Sequence, residues 1–413
     1  MTMTSPKRKR ILALIPNLGL GGAQRVFHNL NELLEEHFEV IPCTFDKTET
    51  KDFFGSTKNM LYLEAKVRST VLGKVRTFLE RIKSLKKLKR DFDIDLCISH
   101  MEGANFINVL SGVTKTILCV HGSKLHDSDL PRVHKFLYNY LLIPYLYKGA
   151  NHIVAVSKGI RTELSSHMKI HKNDISVIPN FFDVKEITDV SLEALPGNLD
   201  SFFEGNFVMC FCGRLAFQKN PMILIPLMKK VKLRIPNAKL IVVGDGVLRE
   251  NFEKEALKEK FSVGDMESIQ NEFPDILLTG SFDNPYAIIA RSQILLFPSR
   301  FEGFPMVLCE AMICRTLILS SDCPTGPREI LSTGSDFMPK KLTRYEVTDC
   351  GYLLPIPENE EGLEIWEKAI LDVFENPGPQ SERVSKAFNS IKALDTTEIK
   401  KQWFQLMQDM ITI

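Results

Sequence analysis

At 413 residues and 44% hydrophobic content, the chain is long enough for two domains with cores of their own and too long for a small module. Net charge is only +1, yet residues 1 to 180 carry 27 Lys/Arg against 17 Asp/Glu and the remainder 25 against 34, so the first half suits an anionic partner, nucleic acid or membrane. Its nine cysteines form no Cys-x-x-Cys pair and fall mostly in apolar runs, which points to buried reduced thiols in a cytoplasmic protein and away from a disulfide scaffold or a metal site.

The N-terminus has the basic-then-apolar order of a signal peptide, but Pro16 and Asn17 break the apolar run early. A basic tail and a buried first strand, Arg10 to Pro16, fit better. No apolar run approaches the roughly eighteen residues of a membrane span, so a membrane contact would be peripheral. After the loop NLGLGG, an amphipathic helix is predicted from Ala23 to Glu36, with Val26, Phe27, Leu30, Leu33 and Leu34 on one face. The glycine spacing does not match a dinucleotide fingerprint, because Gln24 stands where the third glycine belongs, and NAD is not expected. Gly21 and Gly22 fit either a close backbone approach to a ligand at a helix N-terminus or a plain tight turn.

Strand-like runs at Phe38 to Cys43, Asp95 to Ser99, Thr116 to Val120, His152 to Val156 and Ile175 to Ile178 alternate with helical segments, the pattern of a parallel sheet with helices on both faces. Ligands bind beyond the C-terminal ends of such strands. His121 directly follows one of those ends, and His100 shares the location with a weaker claim. Lys66 to Arg90 carries ten basic residues and one acid, Glu80, with Val71, Val75, Phe78, Leu79, Ile82, Leu85 and Leu88 at helical spacing. Two readings stand: a packed stripe under a solvated face, or a surface for anionic lipid or a lipid-linked phosphate. Phe136 to Tyr147 reads as a buried helix interrupted at Pro144, or as tyrosines at headgroup level.

Residues 181 to 205 lack sustained periodicity and read as a linker between a domain of residues 1–180 and one of 206–378. The alternation then restarts at Phe207, with further strands at Lys239 to Val243, Ile276 to Leu278, Ile294 to Phe297, Thr316 to Leu319 and Tyr352 to Leu354. Residues 379–413 are expected to be helical and to pack back on the first domain. GRLAFQKN, Gly213 to Asn220, places Arg214 and Lys219 five apart in a strand-end loop, a spacing that suits a diphosphate. Gly244 and Gly246 form a turn where backbone approaches closely. In SRFEGFPMVLCEAM, Ser299 to Met312, a strand, a turn and a helix start put Glu302 and Glu310 eight apart beside unpartnered backbone N–H groups. Those groups suit phosphate, and the carboxylates suit vicinal hydroxyls, a combination found in a nucleotide sugar. The bland alternative is two acids at a helix start. SSDCPTGPREI has no role that its residues alone dictate.

Taken in order, GLGGAQR, VSKGI, VIPNFFD, GRLAFQKN, VVGDG, NPY and FEGFPMVLCE resemble retaining GT-B glycosyltransferases of the group 1 (family 4) type over nearly the whole chain. The resemblance implies two Rossmann-like α/β domains with parallel sheets facing across a cleft, the donor bound mainly by the second, and neither metal nor cofactor. It implies Arg214 and Lys219 on the diphosphate, Glu310 on the ribose, Glu302 on the donor sugar, amides from Phe304, Pro305, Met306 and Val307 near phosphate, and His121 near the sugar. Two departures stand out: Pro305 replaces a glycine and removes an N–H, and Gln24 replaces a Glu. The SSDCPTGPREI stretch looks like members that use UDP-hexoses or UDP-N-acetylhexosamines in bacterial surface-glycan assembly, so the expected activity is hexosyl transfer to a glycan or lipid-linked acceptor hydroxyl. The expected place is the cytoplasm, with peripheral contact on the inner face of the plasma membrane through residues 66–90. The rival class is a non-catalytic sugar-nucleotide or glycan-binding protein on the same fold. Nucleic-acid binding is not expected, because residues 66–90 lack interleaved aromatics beyond Phe78.

Overall fold

The structure, a computed structural model, describes residues 8–19, 21–47, 60–126, 138–270, 273–332, 334 and 337–412. The chain folds into two compact units, Met1–Phe181 with Thr397–Ile413, and Phe182–Thr396.

The first unit is built on a seven-stranded parallel sheet among the described residues: β1 (Arg10–Ile15), β2 (Glu39–Thr44), β3 (Leu61–Tyr62), β4 (Leu96–His100), β5 (Lys115–Val120), β6 (His152–Ala155) and β7 (Ile175–Val177), in the order β3-β2-β1-β4-β5-β6-β7. Helices cover both faces, which is why β1 reads as a continuous apolar run. Leu12 and Leu14 pack on one side with Leu85 and Ile107, and Ala13 and Ile15 on the other with Phe27. The helix Thr396–Thr412 belongs to this unit: Lys400 pairs with Glu36, Phe404 meets the His37 ring at 4.7 Å, and Lys115 Nζ donates to the Met410 carbonyl at 2.9 Å.

The apolar stripe of the helix Val71–Asp91, open to two readings in the sequence, is packed over only part of its length. Leu85 is fully buried and Phe78, Ile82 and Leu88 pack on the core, but Val71, Leu72, Val75 and Leu79 are exposed, Leu72 at 84%. The apolar spacing persists through turns whose side chains are exposed. Lys89, counted among the basic residues of a solvated face, is instead buried and donates to Asn108 Oδ1 at 2.8 Å and the Gly112 carbonyl at 3.2 Å. Of the run Phe136 to Tyr147, residues 136 and 137 lie outside the described part. Ile143, Leu146 and Tyr147 are buried, while Tyr140, Leu141, Leu142 and Tyr145 are exposed.

The second unit holds an eight-stranded sheet among the described residues: β8 (Phe207–Cys212), β9 (Ala238–Val243), β10 (Val263–Gly264), β11 (Ile276–Gly280), β12 (Ile294–Phe297), β13 (Leu317–Ser321), β14 (Glu346–Val347) and β15 (Tyr352–Leu354), in the order β10-β11-β9-β8-β12-β13-β15-β14. Only the β14–β15 pair is antiparallel. Met209, Phe211, Leu240, Val242, Leu296 and Leu319 form its main core with Trp366. Residues 181–205, read as a linker, are largely structured here. Asp183 caps the helix Val184–Ser191, which is tied in when Asn284 donates to the Val190 carbonyl (2.9 Å) and Arg291 to the Glu193 carbonyl (3.0 Å). One buried position per turn left too little periodicity to see. Residues 379–413 also divide: Gly378–Ile391 stays with this unit and only the last helix joins the first.

Candidate active site

In the second unit the order of strands reverses at β8, whose neighbours β9 and β12 run out to opposite edges, and ligands bind at such switch points beyond the strand C-terminal ends. The loops leaving β8 and β12 meet there. Gln218 Nε2 donates to the Phe301 carbonyl (3.0 Å), Arg300 N to the Gln218 carbonyl (2.8 Å), and the Arg300 guanidinium to Asn220 Oδ1 (3.0 Å). That clamp brings Lys219 Nζ to 2.8 Å from Glu302 Oε1, with Glu302 only 6% exposed. The two residues assigned to different parts of a ligand are thus also each other's partner. An ammonium has three donors and a carboxylate about four acceptor sites, so the contact leaves capacity on both. Arg214 is exposed, and among the described residues its side chain makes no hydrogen bond or ion pair.

Glu302 sits in a turn leading to the helix Met306–Ile313, which opens after Pro305; the Leu308 N–H returns to the Pro305 carbonyl at 3.2 Å. The Met306 and Val307 amides belong to the first turn, where no intrahelical acceptor exists. Phe304, Met306 and Val307 are buried, as is Glu310 on the same helix at 7% exposure. The sequence placed these residues at one edge, and the structure gathers Lys219, Glu302 and the helix start into one polar corner.

Two supports for that corner were not read from the sequence. The loop after β13 closes over the Glu302 turn: Glu302 N donates to the Pro324 carbonyl (2.6 Å), and Thr325 Oγ1 to the carbonyls of Glu302 (3.1 Å) and Gly303 (3.0 Å). Gly326, at φ +99°, lies so close that a Cβ there would be 2.5 Å from Pro305 Cδ and 2.9 Å from the Gly303 oxygen. The loop is anchored by Arg328, 2% exposed, which pairs with Asp322 (2.6 Å) and Glu346 (2.9 Å). This gives SSDCPTGPREI a physical role. An arginine in the first turn of a short helix, six residues after Asp322, was the available signal. Gly244 also gains a definite partner, since a Cβ there would be 2.1 Å from the Gly213 oxygen: the backbone it approaches is the chain's own.

In the first unit, Gln24, buried at the helix Gly22–Glu35, donates to Asn17 Oδ1 at 2.9 Å and braces the glycine loop at Gly21 and Gly22. A neutral amide does this by donating, which a carboxylate could not. At the ends of β4 and β5, His121 Nε2 lies 2.9 Å from Nδ1 of the fully buried His100. Burial, and to a lesser extent His121, holds His100 well below the usual imidazole range; burial pushes His121 down to about 4, with Glu102 opposing and Lys124 adding to the shift. Glu102 and Lys124 form an ion pair. The loop after His121 is held by buried Glu163, which accepts from Ser123 Oγ (2.8 Å) and from the backbone N–H groups of Lys124 and Leu125 (2.6 Å to Leu125).

Two α/β units, one on a parallel and one on a mostly parallel sheet, are the architecture of GT-B glycosyltransferases. A solved structure from Anabaena in complex with UDP superposes with a TM-score of 0.73 at 15% identity, over 97% of this chain and 100% of that one. Family models match in both halves: group 1 glycosyl transferases over residues 200–387 and glycosyltransferase family 4 over residues 20–186. The chain thus carries a glycosyltransferase family 4 domain in its first half and a group 1 glycosyl transferase domain in its second. Among relatives, an uncharacterized glycosyltransferase of Methanocaldococcus jannaschii is 32% identical over 61% of this chain and 62% of its own length. The Campylobacter jejuni enzyme that is an N-acetylgalactosamine-N,N'-diacetylbacillosaminyl-diphospho-undecaprenol 4-alpha-N-acetylgalactosaminyltransferase is 27% identical over 76% of this chain and 81% of that one. Among the described residues no helix is long and apolar enough to cross a membrane.

Proposed function

We propose that the protein is a retaining, UDP-sugar-dependent glycosyltransferase that moves a hexose or N-acetylhexosamine onto a hydroxyl of a lipid-linked glycan precursor. The observation that carries this reading is the pairing of half-buried Lys219 with buried Glu302 beside the amides that open the helix Met306–Ile313. Lys219 partly neutralises Glu302, so a diphosphate can approach a carboxylate that would otherwise repel it. On this reading Lys219 and Arg214 bind the diphosphate, the Met306 and Val307 amides hold a phosphate oxygen, and Glu310 takes the ribose diol. The second oxygen of Glu302 takes a sugar hydroxyl, and His121 a further substrate oxygen. As the acceptor oxygen bonds to the anomeric carbon, that carbon's bond to the phosphate oxygen breaks and the acceptor proton passes to the leaving diphosphate. Arg214 and Lys219 stabilise the charge developing there.

The UDP complex of the Anabaena structure supports the donor, and the diphospho-undecaprenol in the Campylobacter enzyme's name supports the acceptor class. Exposed Val71, Leu72, Val75 and Leu79 among the lysines of Val71–Asp91 support peripheral contact with an anionic bilayer where such an acceptor resides. The test is nucleotide release from a panel of UDP- and GDP-sugars with a polyprenyl-diphosphate-linked amino sugar as acceptor. UDP release from one donor, dependent on acceptor and lost in Glu302→Ala, is expected. Turnover of GDP-sugars alone, or equal release by the variant, would overturn the reading.

A further inference from the structure

His100 and His121 are placed by the sheet itself. β4 and β5 pair in register with His100 opposite Cys119, so His121, two residues on, continues the face to which His100 belongs. Their rings stack with centroids 5.1 Å apart and planes 19° from parallel, and Phe27 closes the far side of His100 edge-on at 5.4 Å. His100 Nε2 is buried and has no hydrogen-bond partner among the described residues. His121 is half-buried, and its Nδ1 makes no hydrogen bond to a described residue.

One hydrogen lies between the facing nitrogens, and each neutral ring has one to give. If His121 Nε2–H donated, His100 would carry its hydrogen on Nε2, as a buried N–H with no acceptor. Such orphaned donors are rare and costly. If His100 Nδ1–H donates, His100 Nε2 is a bare lone pair, and the only remaining N–H, on His121 Nδ1, stands free for a substrate. The charged groups facing His121 are Glu102, from the helix Glu102–Ser111, and Lys124, from the loop after β5, and their mutual pairing offsets their fields. Burial keeps both rings neutral across the physiological range.

We infer that His100 is a positioning residue that fixes His121 as its Nδ1–H tautomer, making His121 a neutral hydrogen-bond donor to a substrate oxygen and barring it from acting as the base. The lone pair such a base would need, on His121 Nε2, is occupied by His100. This rests on the reading that His121 meets substrate, and it deepens that reading by sending the acceptor proton to the leaving group.

The test is long-range proton–nitrogen NMR of the full chain labelled with 15N-histidine, with His121 assigned by its loss in His121→Gln. A pyrrole-type Nδ1 and a pyridine-type Nε2 for His121 are expected; the reverse pattern overturns the inference. In His100→Phe, which keeps the ring volume, the His121 tautomers should mix. Turnover should fall about tenfold at little change in KM for the donor, and a new ionisation should enter the acid limb of the pH–rate profile. His100→Asn, which returns a donor at the Nδ1 position, should restore most of that loss and remove the new ionisation. Equal loss in both variants with an unmoved pH profile would reduce His100 to a packing residue. Because the tautomer is read without substrate, an inactive wild-type protein with His121 Nδ1–H would sink the functional reading and leave the tautomer assignment standing.

Discussion

Arg214 and Lys219 are both cations on the β8 loop, but they carry different structural obligations, and substitution separates chemistry from stability. Arg214 is exposed with no side-chain partner among the described residues, so Arg214→Ala should leave stability within about 0.5 kcal/mol while turnover falls about 100-fold to 1,000-fold. Lys219→Ala strands buried Glu302 without its cation, and unfolding should cost about 3–5 kcal/mol less, a difference read by urea titration. Near-wild-type turnover in Arg214→Ala would remove it from the leaving-group role. Buried His100 and half-buried His121 set a pH window. Their folded-state pKa values lie below the usual 6.5, so the stability they contribute is complete above that value. It drains away as pH falls toward about 4, where His121 takes a proton even in the folded chain. Thermal melts at intervals from pH 7 to pH 4 should therefore fall steadily, and His100→Phe should flatten part of that slope.

At the scale of elements, the loop after β13 works as a brace for the Glu302 turn. Gly326→Ala would push a methyl into Pro305 and the Gly303 oxygen, at a backbone angle that L-residues rarely adopt. The expected cost is about 1–3 kcal/mol, with turnover reduced more than donor affinity, because the turn carries the carboxylate. Thr325→Val, losing the one hydroxyl hydrogen shared between two carbonyls of the same turn, should act in the same direction but more weakly. Strands such as β1 and β12 were legible because burial on both faces forces an unbroken apolar run. The turn at Glu302 was legible because a strand, a glycine and a helix start follow one another. β3, β10 and β14, each of two residues, are too short to leave a period, and Val184–Ser191 buries too little to show one. What joins distant segments was invisible: the Arg328 pair with Glu346, the Gln218–Phe301 clamp and the His100–His121 contact exist only once the sheet brings strand ends together. His100 did lie at a strand end in the sequence, but nothing there showed that its partner would be another histidine.

At the scale of the whole molecule, the charge asymmetry of the chain has a structural counterpart in the first unit, where exposed apolar residues of Val71–Asp91 stand among lysines. Leu72→Asp combined with Val75→Asp touches no packed residue and should leave the melting temperature near wild type. Binding to vesicles rich in anionic lipid should drop, because both apolar insertion and attraction are lost. Unchanged co-sedimentation with such vesicles would remove this helix from any membrane role. The division of the chain, with residues 182–396 as one unit and the last helix returning to the other, makes the Lys219–Glu302 corner a property of the second unit alone. UDP protection of that unit from proteolysis should therefore depend on Lys219 and not on His121.

The most direct test of sugar transfer at the Lys219–Glu302 corner is the anomeric configuration of the first product, followed by proton NMR from the start of turnover with an α-linked UDP-sugar. An α-linked product formed from the outset, and absent with Glu302→Ala, is the expected result. A β-linked initial product, or α-product formed at the wild-type rate by the variant, would contradict it.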